Sequence, residues 1–376
     1  MQIYSAKQKM ERKLLSITEA ANLLGVSRVT FNKIRKDKAF TEVAVGQRVR
    51  FYRDEIMAAL QPSKQSVAPA VSTRRNIILN VFSLDTIADI EFKKDTFDLT
   101  ALKQIDPYGA VSLLCVILDR IRSGNNVHLI VDEGLVCQTL KAHQFFLQVE
   151  ARCEGKVSWD KNILYGSTFH DNTMLMPITA VTIKGAERSL AEELVVLLRK
   201  QGFHDSVGRG IAQIIGELAD NAMTHSAQAL GDRLCWVAAQ RFLYREKNCI
   251  IVGLADPGLG IFSTLKTKAE YKTLTDSQAL LKAFRPFVTS WEAARGKGLT
   301  DVLGIALGNN SYLHADVCNL SLQMDFHDGI NPEIKFGTPL ADVTGTRFGL
   351  ILIDNYFVKK SREEVDKMLE EKERQM

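Results

Sequence analysis

The apolar positions change period along the chain, and the changes divide it. Ser16-Ile-Thr-Glu19 predicts a capped helix running through Leu24, with Ser as cap and Glu three residues on, and Gly25 ends it. Ser27 can cap a second helix carrying apolar Val29, Phe31 and Ile34. Val43-Ala-Val-Gly-Gln-Arg-Val-Arg-Phe-Tyr-Arg53 then reads as two short strands about a Gly-centred turn, followed by a closing helix over Arg53–Leu60. Residues 61–75 show no apolar period and contain Pro62 and Pro69, the pattern of a linker.

From Asn76 strand-like and helical patterns alternate. Ile77–Phe82, Phe97–Thr100 and Asn126–Val131 are strand-like, Tyr108–Ser123 is an apolar helix, and a further helix is expected over Thr139–Cys153. Met174–Lys184 is β-prone. Leu190, Leu194, Leu197 and Leu198 give Glu187–Lys200 one apolar side. Ile211, Ile214, Ile215, Leu218 and Ala222 do the same for a helix over residues 208–229, from which Glu217 and Asn221, four apart, project together. Cys235–Phe242 and Cys249–Leu254 are two β-type runs about a charged turn, and Thr346 heads a last hydrophobic strand. The tail from Lys359 is charged, a solvated helix or a frayed end.

Composition narrows the class. The 376 residues are 46% hydrophobic and 24% charged, room for two or three globular domains. The longest apolar run, Val111–Leu118, is far too short to cross a bilayer, and Met1–Lys13 has no signal-peptide core, so a cytoplasmic protein without a membrane partner is expected. The six cysteines are scattered with no C-x-x-C pair, which suits packed thiols. His314 and Cys318 are four apart and would share a face if that stretch were helical, yet two candidates do not make a zinc site. Residues 1–60 hold 12 Lys/Arg against 6 Asp/Glu, so the +4 of the whole chain is +6 there and −2 elsewhere. A basic end of that size points to a polyanion.

Residues 14–60 resemble the excisionase/MerR-type winged helix-turn-helix family, with its Leu-x-Ile/Thr-x-x-Glu-Ala-Ala-x-x-Leu-Gly-Val-Ser opening and arginine-rich hairpin. The resemblance implies double-stranded DNA as partner and transcription regulation as role. It would place Ser27, Arg28, Thr30, Asn32 and Lys33 toward the major groove, and Arg48 and Arg50 on phosphate or the minor groove.

Phe97-Asp-Leu-Thr, then Ile105-Asp-Pro-Tyr-Gly109 at a helix start and a basic turn into a hydrophobic strand, resembles the STAS domain of anti-sigma-factor antagonists. In that family a Ser or Thr just before the Gly accepts phosphate. Pro107 and Tyr108 stand there in this chain, so the position carries no Ser or Thr to accept phosphate.

Ala255-Asp-Pro-Gly-Leu-Gly-Ile261 puts a carboxylate and a glycine pair at a strand end, where an exocyclic amine can be read and backbone can approach closely. Arg295-Gly-Lys-Gly-Leu-Thr-Asp301 joins glycines, cations and a helix start, features that hold phosphates. No Walker A phosphate loop occurs. The ordered set Glu-x-x-x-Asn, Asp-x-Gly-x-Gly, Gly-x-Gly-Leu and Gly-Thr resembles the Bergerat (GHKL) ATP-binding fold of histidine kinases, anti-sigma-factor kinases, gyrase B and MutL. Carried over, the resemblance makes Glu217 the catalytic base and Asn221 the Mg²⁺ ligand. Asp256 would bind the adenine amine, Gly258 and Gly260 shape the pocket, Gly296, Lys297 and Gly298 cover the phosphates, and Thr346 support the adenine contact. His225 is read as a packed or surface residue.

The expected architecture is therefore multidomain: a winged helix-turn-helix (1–60), a linker (61–75), a STAS-like α/β domain (76–170), an α+β Bergerat-type ATPase domain (171–357) and a charged tail (358–376). The expected cofactors are ATP and Mg²⁺, and the leading function is a nucleotide-controlled DNA-binding regulator. The alternative is an anti-sigma-type serine/threonine kinase acting on a STAS-domain partner. The residues do not decide between ATPase and kinase, or between a separate protein partner and a homodimer. An ATP-gated dimer clamp ranks last, since only about twenty residues follow Ile353.

Overall fold

The computed structural model describes residues 14–23, 31, 35, 40–45, 48–52, 76–83, 85–153, 155–161, 173–230, 234–244, 246–288, 298–327, 332–342 and 344–375. Residues 22, 23, 42, 45, 48, 225–230, 244 and 375 are described by their backbone alone. The chain divides into two compact units, residues 1–73 and 74–376.

In the first unit, strand β1 (Leu14–Ser16) leads into α1 (Ile17–Leu23), and β2 (Glu42–Val45) and β3 (Arg48–Tyr52) form the expected hairpin. The sheet order is β1-β3-β2, antiparallel throughout. The third strand, β1, is not evident in the sequence pattern. The capping box forms: Ser16 Oγ accepts from Glu19 N at 3.2 Å and Glu19 Oε2 accepts from Ser16 N at 2.7 Å. Leu15, Ala20, Ala21, Phe31 and Phe51 make a small core in which the Phe31 ring meets Phe51 edge-on at 5.2 Å. The closing helix and the linker expected over residues 53–75 lie outside the described residues.

Residues 76–161 build a layer of their own. β4 (Ile77–Leu79) pairs in parallel with β7 (Leu102–Ile105), and β5 (Glu91–Lys93), β6 (Thr96–Asp98), β8 (Val127–Ile130) and β9 (Val157–Ser158) form a second small sheet in that order. Between β7 and β8 runs α2 (Pro107–Arg122), with Pro at its first turn, where no intrahelical N–H is needed, and Asp106 Oδ1 accepting from Gly109 N at 2.8 Å. Every residue from Pro107 to Leu118 is buried, because the helix is covered on both sides. The single helix expected over 139–153 is instead two, α3 (Leu135–Ala142) and α4 (Phe145–Arg152), broken at Gln144 in the left-handed region (φ 60°).

The remainder is a seven-stranded antiparallel sheet in the order β10-β11-β12-β16-β13-β14-β15: β10 (Met174–Val181), β11 (Cys235–Tyr244), β12 (Lys247–Asp256), β13 (Tyr312–Val317), β14 (Leu320–Asp325), β15 (Glu333–Gly337) and β16 (Thr346–Ile353). The two-residue period of its strands sorts side chains onto opposite faces. On β12, Ile250, Val252 and Leu254 join the core made with α5 (Ala186–Lys200), α6 (Asp205–Leu230) and α9 (Gly298–Gly308), while Cys249, Ile251 and Ala255 face the 76–161 layer. The short helices α7 (Ile261–Leu265) and α8 (Asp276–Ala283) lie between β12 and α9 in the chain.

The 76–161 layer meets the sheet through glycine. Gly253 and Gly349 are paired across β12 and β16; a Cβ at Gly253 would fall 2.5 Å from Pro107 C, and one at Gly349 3.0 Å from Tyr108 Cγ. The Pro-Tyr that stands where the STAS resemblance would put a phosphoacceptor is thus packed inside the molecule, with Tyr108 fully buried.

The tail is a docked helix, α10 (Arg362–Gln375), rather than a frayed end. Val365 and Leu369 are buried on α9's side of the core. Arg285 holds Asp366 and Glu370 at 2.6 Å and Glu373 at 3.4 Å. Among the described residues no helix is long and apolar enough to cross a membrane.

Candidate functional site

α6 forms because Ile211, Ile214, Ile215, Leu218, Ala219 and Ala222 repeat at helical spacing and bury one stripe against the sheet. The same geometry leaves Glu217 and Asn221 half-buried beside that stripe. Glu217 meets the start of α9: a Cβ at Gly298 would lie 2.5 Å from its Oε2. Burial, with the Asp301 and Asp220 carboxylates, raises the Glu217 carboxyl above its ordinary range, while Lys359 and Arg362 pull the other way. Asp301 is itself tied to α10 by Arg362, Nε at 3.0 Å and Nη2 at 2.7 Å, and Lys359 Nζ lies 3.5 Å away.

Asp256 ends β12 in phase with Ile250, Val252 and Leu254, so its side chain belongs to the face that carries α6 and α9. It is 4% exposed, sits opposite Thr346, and its Oδ1 accepts from Gly258 N at 2.8 Å. Burial pushes its carboxyl up to about 7, against the opposing pull of the Gly258 N–H, Arg347 and the Thr346 N–H. Two glycines in the left-handed region make the turns close. A Cβ at Gly260 (φ 81°) would stand 2.9 Å from Cys318 Sγ, and one at Gly345 (φ 106°) would collide with the Asp256 carbonyl oxygen. Thr346 is in phase with Phe348, Leu350 and Leu352 and shares the Asp256 face.

One face of the sheet therefore carries Glu217, Asn221, Gly298, Asp256 and Thr346, with Gly258 and Gly260 in the turn that follows Asp256. A buried acceptor at a strand end, tight glycine turns and a helix start beside a carboxylate with a raised pKa can bind a planar amine-bearing ring at one end and polarise a hydroxyl at the other.

Gly296 and Lys297, and the side chain of His225, lie outside the described residues. So do Ser27, Arg28, Thr30, Asn32 and Lys33. Arg48 is placed in β3 by its backbone; Arg50 beside it is described in full and its Nη1 pairs with Glu19 Oε2 at 3.4 Å.

His314 and Cys318 do not share a helix face. His314 is in β13, and Cys318 is in the following turn at φ 50°. The run Tyr312–Val317 is buried on both sides and forms a strand, where residues four apart are over ten ångströms distant along the chain. Among the described residues no group of three His, Cys, Asp or Glu could hold a metal ion. Arg362 was not anticipated from the sequence, and Asp301 and Cys318 were named there without these contacts, Asp301 as the end of the Gly-Lys-Gly stretch and Cys318 as a discounted zinc candidate. For the first two a signal existed, since Val365, Met368 and Leu369 give the charged tail an apolar stripe that must dock somewhere. For Cys318 there was none.

The chain matches no curated protein. Residues 14–62 match the family model of the helix-turn-helix domain, which points to DNA-binding regulation.

Proposed function

We propose that this protein is a DNA-binding regulator whose second unit binds ATP with Mg²⁺, and that the nucleotide controls how the helix-turn-helix engages DNA. The proposal takes the helix-turn-helix as excisionase/MerR-type, the seven-stranded unit as Bergerat-type and the 76–161 layer as STAS-like. The observation that carries it is the gathering on one sheet face of Asp256 opposite Thr346 and of Glu217 against Gly298.

The residues suit the ligand. Asp256 offers a buried acceptor for the adenine amine, and the turns at Gly260 and Gly345 pack so closely around it that a side chain on either would collide with Cys318 or with the Asp256 backbone. Asn221 presents an amide oxygen, a hard donor that suits Mg²⁺. Bound ATP would supply a phosphoanhydride for hydrolysis or transfer, and Glu217 would orient or deprotonate the attacking hydroxyl.

Nucleotide can shift DNA binding only if it binds two conformations with different affinity. The test is DNA affinity of the full chain with and without Mg²⁺-ATP, for wild type and Asn221→Ala. ATP should change the wild-type affinity and leave the variant unmoved. Equal DNA binding under all four conditions would rule out the coupling. The kinase alternative predicts label transfer from γ-labelled ATP to a STAS-domain protein, lost in Glu217→Ala.

A further inference from the structure

We infer that Arg347 is a positioning residue for the Asp256–Thr346 edge, holding from the opposite face of the sheet the two turns that frame it. The inference rests on the ATP reading for what the edge binds. Arg347 follows Thr346 on β16, so its side chain points away from the candidate site, toward the 76–161 layer. It is fully buried. Its Nη2 donates to the carbonyl of Ala341 at 2.7 Å and to that of Cys318 at 3.3 Å.

Both carbonyls belong to segments that touch the edge. Cys318 N donates to Gly345 O at 3.2 Å, and its Sγ packs where a side chain on Gly260 would be. Ala341 lies in the segment that arrives at Gly345, the residue pressed against the Asp256 carbonyl. One guanidinium therefore spans the turn beneath Gly260 and the approach to Thr346.

A buried guanidinium needs an anion. Asp316 lies opposite Arg347 on β13 and is also fully buried. Burial alone would raise its carboxyl, but hydrogen bonding and charge from His314, with Arg347 and Tyr108, bring it below the ordinary range. Its Oδ1 lies 3.0 Å from His314 Nε2 and its Oδ2 accepts from Leu340 N at 2.7 Å. His314 Nδ1 donates to the carbonyl of Val81 at 2.8 Å, and Leu340 O accepts from Ile87 N at 2.8 Å. The network runs from the 76–161 layer into residues 340–341 and ends at Arg347. A lysine would keep the charge but not the planar donor geometry.

The experiment uses the full chain as wild type, Arg347→Lys, Arg347→Met and the double variant Arg347→Met/Asp316→Asn. The double variant removes both charges and carries the same readouts should Arg347→Met fail to fold. Amide hydrogen exchange without nucleotide reports on residues 256–260, 316–320 and 339–346, with α6 as internal reference. Competition of ATP and GTP against a fluorescent ATP analogue reports on the edge itself. In the variants, exchange at the three segments should accelerate, with α6 unchanged, and ATP binding should weaken roughly tenfold with GTP binding unmoved, so that the preference for adenine collapses. Unchanged exchange at the three segments would overturn the inference, as would an equal loss of ATP and GTP binding with a lowered melting temperature. Accelerated exchange in variants of a wild type that binds no ATP would leave the positioning role standing and remove the ATP reading.

Discussion

Gly298 and Glu217 share a space that a glycine alone leaves open: a Cβ on the first residue of α9 would stand 2.5 Å from the Glu217 carboxylate. The atom in the way is the far end of a flexible side chain, so Gly298→Ala should fold normally while turning Glu217 aside. We expect its thermal midpoint to match or exceed the wild type and, on the proposed ATP reading, any ATP turnover to fall by roughly a hundredfold, the scale of a misplaced catalytic group. Turnover at the wild-type rate would remove Glu217 from the reaction.

Gly253 presents the opposite case. Its missing Cβ would meet backbone, Pro107 C at 2.5 Å and Tyr108 N at 2.6 Å, and backbone cannot rotate away. Gly253→Ala must lift α2 from the sheet or bend β12, at a cost of about 3 kcal/mol. Gly216→Ala, in a helix with nothing within 4 Å of the new methyl, should instead stabilise by up to about 1 kcal/mol. Urea titrations of the pair distinguish the two environments.

Asp256 makes stability depend on pH with a definite sign. Its carboxyl sits at about 7 in the folded chain against an ordinary value of 3.8, so the folded state holds the proton more tightly. The resulting contribution is complete below about pH 4, is lost as pH rises toward 7, and is absent above. Asp256→Asn cannot ionise. Whatever constant cost the amide brings, the difference between variant and wild type should move in the variant's favour by on the order of 4 kcal/mol between pH 4 and pH 8. Denaturant midpoints at pH 4, 6 and 8 measure it, and parallel curves would show that Asp256 titrates normally.

Arg50 is held by Glu19 in the helix-turn-helix unit, and the same glutamate caps α1. Glu19→Gln keeps the cap, since Gln serves in a capping box, and removes the ion pair. Stability of the unit should fall by no more than about 1 kcal/mol, and affinity for double-stranded DNA should rise by no more than about fivefold, both the worth of an exposed ion pair. Arg50→Ala should lower the slope of log affinity against log salt by about one. A slope unaltered by Arg50→Ala would take this residue off the phosphate backbone.

A single buried stripe made α5 and α6 legible in the sequence, whereas α8, which also buries one side, was not anticipated. The stripe from Ile211 to Ala222 gave α6 to within three residues at its start and one at its end, because a single face decides it. α2 was legible for a different reason: its apolar run, broken only by Ser112 between Ala110 and Leu118, leaves no polar face. The break at Gln144 was not, since a left-handed residue other than Gly or Asn leaves no mark in a hydrophobic pattern. Within the site, the order of the motif residues was visible and the resemblance put Asp256 and Thr346 on one contact, but not the strand register that sets them opposite each other ninety residues apart. That pairing is fixed by the sheet, and so is the network under Arg347, whose members look like isolated polar interruptions of apolar strands.

The facing glycines of β12 and β16 also bear on how the sheet finds its alignment. A slip of two residues between these strands would keep every apolar side chain on its proper face, so alternation alone does not prevent it. It would, however, separate Gly253 from Gly349, and the notch that receives the start of α2 would close. Docking of that helix thus acts as a gauge of strand registry, rejecting from one side of the sheet misalignments that would scatter Asp256 and Thr346 on the other.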